Sequence, residues 1–104
     1  MIQHILLNGR RMTSRDELFI HIMEKFDLPE HFGGNLDALW DVLSTHDRPT
    51  AIFLVYTDDM VEALGGYGVK VIELFRDLNR IRRGCSFYIV NEDPERLSQP
   101  RYWE

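Results

Sequence analysis

The stretch that decides the fold is AIFLVY, residues 51–56, an almost continuous apolar run in the middle of the chain. Six apolar or aromatic residues in succession are typical of a central strand that is covered on both faces or buried between neighbours. Two shorter runs, IQHILL at residues 2–7 and CSFYIV at residues 85–90, lie before and after it. We therefore predict three strands, with AIFLVY as the second.

Two helices are predicted between the first and second strands. The earlier one begins at Thr13 or Ser14, which can accept hydrogen bonds from free backbone N–H groups. Asp27-Leu28-Pro29 ends it, because the residue before a proline avoids helical geometry. The later one begins after Asn35, another good N-cap. Its apolar residues form one stripe that must pack inward: Leu36, Leu39, Trp40 and Leu43.

Two more helices are predicted between the second and third strands. Thr57-Asp58-Asp59 caps a short one that runs into Gly65-Gly66. A longer one extends from about Tyr67 to Arg82, and Gly84 stops it. Five residues make its apolar face: Val71, Leu74, Phe75, Leu78 and Ile81.

The order β-α-α-β-α-α-β predicts an α/β fold with a small three-stranded parallel sheet packed by about four helices. Right-handed crossovers would place most helices on one side of the sheet. Residues 1–90 form the predicted domain. Residues 91–104 are polar, contain two prolines and read as a C-terminal tail.

Length and composition fit one globular domain. The chain has 104 residues, of which 44% are hydrophobic and 28% charged. We find no apolar run long enough to span a bilayer and no signal-peptide pattern at the N-terminus. The lone cysteine, Cys85, cannot form an internal disulfide. We therefore expect a cytoplasmic protein that does not interact with membranes.

The acidic charge of the chain is concentrated in one segment, which includes LPEHFGGNLDALWD at residues 28–41. Residues 26–47 contain five acids and no lysine or arginine, whereas the twelve acids elsewhere balance twelve bases. The formal net charge of −5 thus arises entirely here. Such a field attracts basic partners and repels nucleic acid. The alternative is a solvated acidic face without a partner.

Asp37 and Asp41 are four residues apart in the second predicted helix and share its solvent-facing side. Like charges at this spacing weaken a helix slightly. The positive helix N-terminus offsets the cost for Asp37 but not for Asp41, which lies too far along. A residue that costs stability and faces water favours a role in binding a partner.

The same stretch resembles the barstar family, intracellular protein inhibitors of bacterial ribonucleases such as barnase. The similarity is carried by Leu28-Pro29-Glu30, by Gly33 and by the run NLDALWD, residues 35–41. The Asn8-Gly9 turn, Phe75-Arg76-Asp77 and Gly84-Cys85 add to it. The resemblance covers residues 1 to about 90 and implies the barstar fold.

The resemblance also implies a partner-binding surface formed by the loop and the second helix. Asp41 matches the aspartate that enters the ribonuclease active site in place of an RNA phosphate, and Asp37 would pair with a basic residue at the rim. The other positions implied on this surface are His31 and Phe32, where barstar has two tyrosines, together with Gly33, Asn35, Ser44 and His46. Phe32 lacks the tyrosine hydroxyl, and Gly34 replaces a glutamate.

The largest departure from the family lies in the fourth predicted helix. Asp77 matches a glutamate that faces the enzyme, but the later acidic position has become Arg80-Ile81-Arg82-Arg83. A barnase-like partner would lose attraction there. These arginines are explained first by the negative end of their own helix, and second by a patch for an acidic partner or RNA.

We therefore expect a binding protein with an immunity or antitoxin role, monomeric when free, with a small basic ribonuclease as partner. The alternative is a regulatory or scaffold module that keeps the fold and binds another protein. We expect no enzyme activity, since no nucleophile or acid–base pair stands out. We also expect no cofactor and no metal, because His31, Asp37 and Asp41 alone make a poor ligand set.

Overall fold

The structure, a computed structural model, describes residues 2–28, 34–45 and 48–90. These residues form a three-stranded sheet and four α-helices, as predicted. The strands are β1 (Gln3–Asn8), β2 (Thr50–Val55) and β3 (Cys85–Val90). The helices are α1 (Arg15–Phe26), α2 (Leu36–Thr45), α3 (Thr57–Leu64) and α4 (Gly66–Ile81). A short 3-10 turn, Gly9–Arg11, follows β1.

The sheet is parallel throughout, with strand order β1-β2-β3. The predicted limits of β2 are one residue too late. Thr50 joins the strand because its N–H donates to the Gly84 carbonyl at 2.8 Å. Tyr56 leaves it because its backbone is left-handed, with φ of 51°. A Cβ on Gly9 would overlap the Tyr56 carbonyl oxygen, which requires glycine at the predicted Asn8-Gly9 turn.

The two faces of the sheet are buried to different degrees. On one face Ile52 and Leu54 of β2 are fully buried, whereas Phe53 on the other face is half-buried and Tyr88 of β3 is 50% exposed. Of the two alternatives for AIFLVY, burial between neighbouring strands is confirmed, because β2 lies between β1 and β3, whereas full cover on both faces is not observed. The buried face meets a single core to which all four helices contribute, through residues that include Leu18, Ile22, Leu39, Leu43, Met60, Val71, Phe75 and Leu78.

The observed ends of α1 and α3 show which of the predicted capping residues form caps. Ser14, rather than Thr13, caps α1 by accepting from the Glu17 N–H at 3.1 Å. That helix ends at Phe26, and Asp27, the first residue of the predicted Asp27-Leu28-Pro29 terminator, is its left-handed C-cap. The predicted cap of α3 is wrong, because Thr57 is its first residue and Tyr56 precedes it without a side-chain cap.

The end of α4 also differs from the prediction. Arg82 is its C-cap, so the helix has ended before Gly84, which lies in the turn to β3 with φ of 79°. Four of the five predicted apolar residues of α4 are buried, but Ile81 is 62% exposed. Ile81 extends past the core because it lies in the last turn, beyond the sheet-facing stretch that ends at Leu78.

His21 is a buried titratable residue that joins α1 to β1. Its Nε2 accepts a hydrogen bond from the Asn8 N–H at 3.0 Å, so this nitrogen carries no proton. The side chain is 3% exposed, and burial lowers its pKa from the ordinary 6.5. Lys25 and Arg11 lower the pKa further, and Glu24 opposes them. Protonation would thus break the bond to β1 and place a charge in the interior.

We predict that the free energy of unfolding decreases as pH falls below about 6.5. The unfolded chain takes up a proton on His21 near that pH, whereas the folded chain takes it up only at lower pH. The stabilisation that neutral His21 provides is fully present above pH 6.5 and is lost as the pH falls toward the lowered pKa of His21 in the folded state. Over that range the free energy of unfolding changes by at most about 1.4 kcal/mol per pH unit. Urea unfolding at pH 7.5, 6.5 and 5.5 measures this change. His21→Gln should flatten the slope, and an equal slope in both proteins would contradict the prediction.

Candidate partner-binding surface

Asn35 begins α2, as the sequence predicted. Its Oδ1 accepts from the Ala38 N–H at 2.8 Å, and its carbonyl accepts from the Leu39 N–H at 2.9 Å. The first bond satisfies one of the N–H groups that a helix start leaves unpaired. Gly34 before it has φ of 61°, a backbone conformation that favours glycine. Asn35 is therefore a structural residue that fixes where α2 starts.

Asp37 and Asp41 lie on the solvent face of α2, one turn apart. Both side chains are exposed, whereas Leu39 and Leu43 on the opposite face are fully buried. Within the described part of the chain, neither carboxylate has a hydrogen-bond or ion-pair partner. Two carboxylates that are solvated and unpaired remain available to a basic partner.

The last turn of α2 satisfies part of its own backbone. Thr45 Oγ1 donates to the carbonyl of Asp41 at 2.7 Å and lies 3.3 Å from that of Val42. Ser44, a predicted site residue, is half-buried, and its hydroxyl lies 3.5 Å from the same Asp41 carbonyl. The Ser44 hydroxyl is thus directed to its own helix.

Asp77, on α4, differs from the α2 carboxylates because it forms an ion pair with Arg80, one turn later. Both side chains remain substantially exposed, so the pair contributes little to stability. It nevertheless neutralises the one acid that the sequence placed at the α4 side of the surface. The exposed Ile81 was missed as a surface residue, because its spacing fits the apolar face of the helix.

Four predicted site residues lie outside the described residues. These are His31, Phe32 and Gly33 before α2, and His46 after it. Their assignment to the partner-binding surface remains a prediction from the resemblance.

Away from α2, the described residues include one cleft beside α1 and one buried thiol. A cleft of about 350 Å³ lies beside α1, lined by Arg11, Glu17, Ile20, His21 and Glu24. Burial raises the pKa of the Cys85 thiol and so disfavours the thiolate, whereas the positive charge of Arg82 lowers that pKa by a smaller amount. In residues 2–28, 34–45 and 48–90 no three His, Cys, Asp or Glu side chains are grouped for a metal, and no helix there could cross a membrane.

Comparison with known proteins identifies the family. The family model described as barstar (barnase inhibitor) matches residues 2–92. A protein of Bacillus subtilis (strain 168) named "Putative ribonuclease inhibitor YrdF" is 31% identical over 77 residues, which cover 73% of this chain and 85% of that protein. The chain belongs to the barstar family. At the level of the family, it is an inhibitor protein rather than an enzyme.

We predict that Asn35→Ala destabilises the protein by about 0.5–2 kcal/mol, the usual cost of losing an N-cap side chain. The loss arises because the Ala38 N–H would no longer have a protein acceptor at the start of α2. Urea unfolding measures it, and Asn35→Ser is the matched control, since serine also caps helices well. Equal stability of the alanine and serine variants would show that the cap contributes nothing.

Proposed function

We propose that this protein binds a small basic ribonuclease and blocks its active site with the solvent face of α2. The observation that carries the proposal is the pair Asp37 and Asp41, exposed and unpaired among the described residues of a barstar-family protein. The ribonuclease inhibitor name of the relative from Bacillus subtilis supports the same partner class.

Phosphate mimicry explains why carboxylates suit this role. A ribonuclease binds RNA phosphates with clustered basic side chains, and a carboxylate can accept the same charge-assisted, often bidentate, hydrogen bonds. Asp41 is proposed to occupy the active site, and Asp37 to pair with a basic residue at its rim. Residues 26–47 carry no lysine or arginine that would oppose this attraction.

The remaining contacts are assigned by the family resemblance. His31, Phe32, Gly33, Ser44 and His46 are proposed to contact the ribonuclease together with Asp41. Asn35 supports this surface through its cap of α2. The net charge of −5 would accelerate encounter with a basic enzyme at low salt and would disfavour binding of nucleic acid.

The cellular role follows as part of the same proposal. An inhibitor of this kind would act in the bacterial cytoplasm as an immunity protein or antitoxin, as a monomer that binds one ribonuclease.

The predicted tail, residues 91–104, lies almost entirely beyond the family match, which ends at residue 92.

A second candidate function is a module of the same fold that binds another protein. The observation that favours it is the α4 side of the surface, where Arg80 neutralises Asp77 and Ile81 is exposed. That side offers a partner apolar contact rather than negative charge. Binding that depends on Ile81 but not on Asp41 would support this candidate.

The proposal is tested by calorimetric titration into a panel of small basic microbial ribonucleases at low and moderate salt. We expect one-to-one binding that weakens with salt. Asp41→Asn should reduce the affinity by at least about 2 kcal/mol, as a central charged hot spot does; barnase–barstar is among the systems that define this scale. Its thermal stability should change little, because Asp41 is exposed.

The matched control is Glu62→Gln. Glu62 is an exposed acid on α3, and its substitution removes the same charge without a change in shape. Equal losses of affinity in the two variants would show that only net charge matters. An absence of binding across the panel would contradict the proposal for ribonucleases of this class.

A further inference from the structure

Arg82, at the end of α4, contacts the backbone of two other segments. Its Nη1 donates toward the carbonyl of Leu43 at 3.5 Å, and its Nη2 donates to the carbonyl of Arg48. Leu43 lies in the last turns of α2, and Arg48 lies two residues before β2. A guanidinium has five N–H donors in a fixed plane, so it can bond carbonyls of different segments at once. One side chain thus joins α4, α2 and the approach to β2.

The end of α2 lacks a cation of its own. The last four carbonyls of a helix have no partner within it and carry partial negative charge. The last turn of α2 contains no basic residue. Leu43 provides one of these four carbonyls, and the Arg82 contact supplies the missing charge. At 3.5 Å the bond is long, so the attraction between the cation and the helix end carries much of the effect.

Arg82 is itself held in place by its backbone. Its N–H donates to the Leu78 carbonyl at 3.0 Å, and its carbonyl accepts from the Cys85 N–H at 3.2 Å. The Arg48 carbonyl also accepts from Thr50 Oγ1 at 2.8 Å. Both ends of the contact are therefore anchored, one at the start of β3 and the other at the start of β2.

We propose that Arg82 is a positioning residue for α2, which holds the turn that carries Asp41 at a fixed place relative to α4 and β2. Asp41 lies two residues before Leu43 in that turn. The effect on a ribonuclease partner rests on the proposed function, whereas the effect on α2 does not. The sequence suggested that Arg82 stabilises its own helix, but the guanidinium reaches α2 instead.

The neighbouring arginine provides a matched control. Arg83 is exposed and has no hydrogen bond or ion pair to any described residue. Arg83→Met and Arg82→Met each remove one positive charge just after α4 and keep an unbranched side chain. Only Arg82→Met removes the contacts to Leu43 and Arg48.

The first test measures amide hydrogen exchange of the full chain by NMR. In Arg82→Met the amides of residues 43–45 should exchange roughly tenfold faster than in the unaltered protein, relative to those of α1 and β1. Arg83→Met should leave them unchanged, and Arg82→Lys should lie between. A uniform acceleration over all elements, or no difference between the two Met variants, would overturn the proposal. Should Arg82→Met not fold, Arg82→Lys decides in the same way.

The second test measures affinity for a ribonuclease of the panel. Arg82→Met should weaken binding about tenfold, and Arg83→Met less than about threefold. In a protein that already carries Asp41→Asn, Arg82→Met should reduce the affinity for the ribonuclease by a smaller factor than it does alone. The reason is that Arg82 acts on binding through the turn that carries Asp41. If the loss of affinity in the double variant equals the product of the losses in the two single variants, the positioning role is overturned. If the unaltered protein binds no ribonuclease, the proposed function fails while hydrogen exchange still decides the role of Arg82.

Discussion

The burial of Leu39 and Leu43 is the constraint on which the proposed binding surface depends. Both side chains are enclosed in the core with α4, and each contributes roughly 1.5–3 kcal/mol of hydrophobic stabilisation. At 3.6 residues per turn, this forces Asp37 and Asp41 to the opposite side of α2. The repulsion between two carboxylates at this spacing costs only about 0.2–0.5 kcal/mol. The stabilisation from packing therefore outweighs this repulsion, and the fold can hold on its surface two carboxylates that no described residue pairs with.

The two ends of α2 determine how rigidly that charge is held. A ten-residue helix is not stable alone in water, so α2 depends on its packing and its caps. At the start of α2 the Asn35 side chain accepts a hydrogen bond from a backbone N–H of the helix. At its end the Arg82 side chain, which follows α4, donates to a backbone carbonyl of the helix. A surface held in this way loses less conformational freedom on binding than a mobile one. The side chains proposed to bind the partner, Asp37 and Asp41, would thus contribute more of their electrostatic attraction to affinity.

Local signals account for what the sequence predicted correctly. The three apolar runs, the Asn35 cap and the stripe through Leu39 and Leu43 all act within a few residues, so pattern alone found them. The contacts of Arg82 escaped prediction because they depend on where α4 ends relative to α2 and β2. Tyr56 escaped it because an apolar run does not reveal a left-handed residue. The loop positions His31 to Gly33 stay predictions from family resemblance.

The central claim is that α2 takes the place of RNA on a ribonuclease. The most direct measurement is steady-state hydrolysis of a short fluorogenic RNA by a ribonuclease that binds this protein, at several concentrations of both. If the carboxylates of α2 occupy the phosphate site, inhibition will be competitive: the apparent KM will rise with inhibitor concentration and kcat will stay constant. A fall in kcat at constant KM would contradict the account, because it would place the protein on the enzyme away from the RNA.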